Sequence, residues 1–112
     1  MSDKLLLKGI ELRYVLTMQL FQLGQQSVAD LVDALDQYGF TTKGRPSKAV
    51  SDALRCEIAH GRVFRVRHGR YRPAWMPRST EYRIRERVFA LRAAAAELRP
   101  RHGDAFWDTL GA

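Results

Sequence analysis

The sequence predicts a mainly α-helical fold carrying one small β-hairpin, and two observations support that expectation. Four stretches place apolar residues at intervals of three and four, as helices require, whereas one stretch, VFRVRHGRYRP over residues 63–73, alternates at a period of two. With 112 residues the chain has room for one modest core but not for two. Its 46% hydrophobic and 28% charged residues are ordinary for a globular protein, so fibrous and disordered classes are set aside.

The first helix is expected from about Lys8 to Leu23, closed by Gly24 where a left-handed cap is favoured. Ile10, Tyr14, Met18 and Phe21 form one stripe; Leu12, Leu16, Leu20 and Leu23 form a second, roughly opposite. A helix apolar on two sides must be covered on two sides, by its own core and by a further helix or a second subunit. The second helix starts at Ser27, a good N-cap, with Asp30 placed near the positive end of the dipole. Val28, Leu31, Val32, Leu35 and Tyr38 give its inward spacing, and Gly39 ends it. TTKGRPS at 41–47 reads as a short basic turn in which Pro46 disfavours helix at Arg45. The third helix is expected from about Lys48 to Ala59, with Val50, Leu54 and Ile58 inward and Ala53 beside them. Lys48, Ala49, Asp52, Arg55, Cys56 and Ala59 lie opposite, with Ser51 at the margin.

His68-Gly69 suits a two-residue hairpin turn of the primed type. The register that follows opposes Arg67 to Arg70, Val66 to Tyr71, Arg65 to Arg72 and Phe64 to Pro73. It sorts Phe64, Val66, Tyr71 and Pro73 onto one face and the four arginines onto the other. After a connector at 74–78, a last helix begins at Ser79 or Thr80 and runs to about Arg99, stopped by Pro100. Ile84, Val88, Leu91, Ala95 and Leu98 make a heptad-spaced seam along it. In the tail, Asp104 can cap one amphipathic turn carrying Phe106, Trp107 and Leu110.

Charge is distributed unevenly. Residues 1–40 carry three basic and five acidic groups, residues 41–78 ten and two, and residues 79–112 six and five. The middle segment, at +8, therefore accounts for the whole formal excess of +7. A charge confined to one segment points to a polyanion-binding surface; the alternative is a solvated basic face that serves solubility. Like charges directly opposite on a hairpin oppose folding by a few tenths to about 1 kcal/mol per pair, and an anion would relieve them. Arginine can grip phosphate in bidentate fashion or enter a narrow minor groove. The competing explanation is an edge ribbon that uses charge to block strand-to-strand aggregation.

Three helices followed by a basic β-ribbon is the order of a winged helix-turn-helix, in which the third helix enters the major groove and the ribbon is the wing. RPSKAVSDALRCEIAHGRVFRVRHGRYRP, residues 45–73, resembles winged-helix transcriptional regulators. LLLKGIELRYVLTMQL resembles, more loosely, the first helix of PadR-type regulators, which also carry a C-terminal dimerisation helix. The resemblance implies a winged helix-turn-helix DNA-binding domain at 1–76 and a helical extension at 77–112.

On this reading the recognition helix and its entrance contribute Lys43, Arg45, Lys48, Ser51, Asp52 and Arg55. Arg55 would read guanine, Ser51 would contact phosphate or base, and Asp52 would accept from cytosine or orient Arg55. Lys43, Arg45 and Lys48 would clamp phosphates. The wing contributes Arg62, Arg65, Arg67, His68, Arg70 and Arg72. Leu12, Leu16, Leu20, Ile84, Val88, Leu91 and Leu98 are expected to form a homodimer interface that spaces two wings over a pseudo-palindromic site.

The expected function is that of a cytoplasmic, nucleoid-associated regulator of transcription that binds double-stranded DNA. A low-specificity nucleoid protein or a winged-helix protein-interaction module are the alternatives. No enzyme is expected, and no cofactor: His60, His68 and His102 are scattered, and neither a glycine-rich phosphate loop nor a nucleophile elbow occurs. Cys56 excludes an internal disulfide, being the single cysteine, and sits on the outer flank of the third helix. The N-terminus carries only three consecutive apolar residues, so neither a signal peptide nor a membrane span is expected there.

Overall fold

The computed structural model describes residues 3–98; the expectations for Pro100, His102, Asp104, Phe106, Trp107 and Leu110 lie outside this range. Four helices and five short strands follow in the order β1 (Leu5–Leu7), α1 (Ile10–Leu23), β2 (Gln26–Ser27), α2 (Val28–Gln37), β3 (Phe40–Thr42), α3 (Pro46–Ala59), β4 (Val63–Arg67), β5 (Arg70–Pro73) and α4 (Arg78–Leu98). The fold is mostly helical, as the periodicities indicate, with small sheets of which only the β4–β5 hairpin was expected.

α1 is buried on more than one side, at Leu12, Val15, Leu16, Thr17, Met18 and Leu20. α3 packs where Arg13 and Thr17 project, and α4 crosses the opposite side, where Arg87 pairs with Glu11 and Arg92 reaches Gln22. Both sides of the central helix are thus covered from within one chain. This corrects the expected dimer seam. Leu12, Leu16, Leu20, Ile84, Val88 and Leu91 are buried in the intramolecular core, and of the assigned residues only Leu98 is substantially exposed, at 47%. A heptad spacing specifies a helix partner but not whether that partner belongs to the same chain.

α2 starts as its sequence requires. The Ser27 hydroxyl accepts from the Asp30 amide at 3.0 Å while the Asp30 carboxylate accepts from the Ser27 amide, a reciprocal capping box. The Ser27 amide and hydroxyl hold the Asp30 carboxyl below its usual range. α3 starts two residues before the expected point, with Pro46 in its first turn and Arg45 extended at φ −74°, ψ 122°. Arg45 stays out of the helix, as expected before a proline, and Pro46 itself begins it, because a proline at the first helical position loses no intrahelical hydrogen bond. On α3 the buried set is Val50, Ala53, Leu54 and Glu57, whereas Ile58, expected inward, is 37% exposed.

Strands β1 to β3 were not expected. β1 and β3 pair in parallel, Leu5 with Phe40 through Leu7 with Thr42, so TTKGRPS is a turn only after its first two residues. β2 pairs with β5, giving a three-stranded sheet ordered β2-β5-β4.

The hairpin also differs in register. Arg67 opposes Arg70 as expected, but a bulge at Val66 then sets Arg65 against Tyr71, Phe64 against Arg72 and Val63 against Pro73. Only Gly69 has positive φ, 73°, and His68 does not, so the turn is not of the primed type. An unprimed turn splays the strands, and the extra residue at Val66 restores pairing with a local bend. Tyr71, 7% exposed, enters the core as expected, but Val63, at 1%, joins it there while Phe64 and Val66 stay outside. No helix among the described residues is long and apolar enough to cross a membrane.

Candidate nucleic-acid interface

The site is built on a buried carboxylate. Glu57, fully buried near the end of α3, accepts from Thr17 Oγ1 at 2.6 Å, Arg13 Nε at 3.0 Å, and Arg62 Nε and Nη2 at 2.7 and 2.8 Å. Burial alone would raise its pKa. The hydrogen bonds from Arg62, Thr17 and Arg13 outweigh that and hold it below the usual carboxylate range. Arg62 therefore does not belong to the phosphate-facing set to which its sequence position assigned it. Its side chain is largely buried, and it fastens the root of β4 to α3 and α1. The sequence signal was available: Glu57 falls on the buried side of α3, where a carboxylate demands cationic partners.

From this root the hairpin runs beside α3 and leaves a cleft of about 410 Å³ between them. Ser51, Arg55 and Ile58 of α3 form one wall; Arg65, His68 and Gly69 of the hairpin form the other, with Val28 and Tyr71 also lining it. Arg65 Nη2 donates to His68 Nδ1 at 2.9 Å, which places the ring proton on Nε2 when the imidazole is neutral. The bulge turns Arg65 to the same side as Tyr71 and away from Arg72. The four arginines therefore do not share one face.

Arg70 and Arg72 alternate with Tyr71 and project from the other side of the ribbon, where Arg67 opposes Arg70. Arg72 stacks on Phe64, its guanidinium carbon 4.8 Å from the ring centroid. One like-charged pair, Arg67 and Arg70, is present where two were expected. Asp30 at the start of α2 feels the Arg70 charge, which gives part of that repulsion an internal counterweight.

On the outer side of α3, Asp52 pairs with Lys48 at 2.9 Å and with Arg55 at 3.6 Å, all three exposed. The Lys48 hydrogen bond, aided by the charges of Lys48 and Arg55, holds the Asp52 carboxyl below its usual range. Asp52 therefore lies within ion-pair distance of both Lys48 and Arg55. Lys43 and Arg45 are exposed at the entrance to the helix, and Ser51 is half-buried at the cleft. Cys56 is exposed, and its carbonyl lies 2.8 Å from His60 Nδ1 at the helix end. No group of histidine, cysteine or carboxylate side chains able to hold a metal occurs among the described residues.

Comparison with known protein families, curated proteins and solved structures returns no match for this chain.

Proposed function

We propose that this protein binds double-stranded DNA as a winged helix-turn-helix regulator of transcription, with α3 in the major groove and the β4–β5 hairpin as the wing. The observation that carries the reading is convergence. Residues far apart in sequence, Arg55 on α3 and Arg65 and His68 on the hairpin, line one cleft, with Arg67, Arg70 and Arg72 continuing along the ribbon beside it. The element order and the strand β2 that pairs with the hairpin also agree with a winged helix.

Within this reading Arg67, Arg70 and Arg72 neutralise phosphates or enter the minor groove, and Arg55, set by Asp52, faces base edges. Lys43, Arg45 and Lys48 hold the backbone at the helix entrance. A twofold arrangement of two copies would have to use a surface other than the buried α1–α4 seam.

In vitro selection of bound duplexes tests the proposal, and recovery of no enriched sequence and no duplex affinity would overturn it. Neutralising Arg65, Arg67, Arg70 and Arg72 together should abolish most binding with the fold intact. Where residual affinity remains measurable, the slope of log K against log salt should shallow by roughly 0.9 for each phosphate contact removed. Affinity that depends on salt but not on sequence would favour a nucleoid-coating role.

A further inference from the structure

The cleft between α3 and the hairpin offers more than the cations that a continuous duplex backbone would use. Ile58, Val28 and Tyr71 give it apolar surface, which a phosphate does not match, whereas Arg55 and Arg65 supply cations. Its volume of about 410 Å³ falls in the range of roughly 300–1,000 Å³ in which small organic ligands are enclosed. Apolar surface beside guanidinium groups suits an unstacked nucleobase joined to its phosphate.

We propose that this cleft seats one unpaired nucleotide of a bound DNA. The base lies against Ile58 and Tyr71, and its flanking phosphate pairs with Arg65. Ser51 supplies a hydroxyl able to donate to or accept from the base edge. The Arg65–His68 hydrogen bond holds the guanidinium in place before DNA arrives. This inference rests on the DNA-binding reading and narrows it: duplexes in which one nucleotide is already free of its partner should bind best, because the unpairing cost is absent.

The test compares fluorescence anisotropy of the full chain with a fully paired duplex and with the same duplex carrying one bulged nucleotide. The bulged duplex should bind about tenfold more tightly. Ile58→Trp fills the cleft from the α3 side and should erase that preference, bringing the affinities for the bulged and paired duplexes to within about threefold of each other. Val28→Phe fills it from another wall and serves if Ile58→Trp does not fold. Equal affinity of the wild-type protein for the two duplexes overturns the cleft proposal and leaves the DNA-binding reading standing. A preference that survives in a folded, cleft-filled variant also overturns it. Failure to bind either duplex overturns both.

Discussion

Arg62 and Arg72 are both wing arginines in the sequence, yet they have opposite uses. Arg62 spends its charge on Glu57; Arg72 lies exposed over Phe64. Arg62→Ala should therefore lower the melting temperature, and Arg72→Ala should weaken DNA binding with little change in stability, a contrast read by calorimetry alongside anisotropy. Removing one partner of a buried ion pair costs about 3–5 kcal/mol, so Glu57→Ala should destabilise by that order in urea denaturation. The pH dependence follows from the depressed native pKa of Glu57. Its contribution to stability is complete above the ordinary carboxyl value of about 4.3. It is lost as pH falls below that point through the native value. Glu57→Gln should flatten the acid limb of the stability–pH curve; an unchanged limb would remove Glu57 as its source.

At the scale of elements, the helices were legible because each has a strong periodic or capping signal, as at Ser27 and Asp30. The three early strands were not, since β1 to β3 are only two or three residues long and too short to show alternation. The hairpin was recognisable from its alternation, but its register depended on a turn type and a bulge that spacing cannot encode. That one-residue difference moved Arg65 to the cleft, Val63 to the core and Phe64 to the surface, so the site was legible in composition and only partly in geometry. Gly69 is the position to probe. A Cβ there would meet nothing within 4 Å, so Gly69→Ala should cost only the left-handed backbone strain, about 1–2 kcal/mol in thermal unfolding.

For the whole of the described structure, the consequence of α4 packing on α1 is that α4 belongs to the same core as the rest. Ile84 is fully buried, and Ile84→Ala should cost about 2–5 kcal/mol. Because that burial is intramolecular, the loss in melting temperature should not depend on protein concentration. A concentration-dependent loss would return the seam to an interface between subunits.

The hairpin is held at both ends, its root by Arg62 on Glu57 and its tip by the Val28 amide, which donates to the Gly69 carbonyl at 3.0 Å. A ribbon secured in this way has already surrendered much of the backbone freedom that binding would otherwise remove. Were it to bind DNA as proposed, it would meet the duplex already ordered, the entropic cost having fallen on folding instead of on binding.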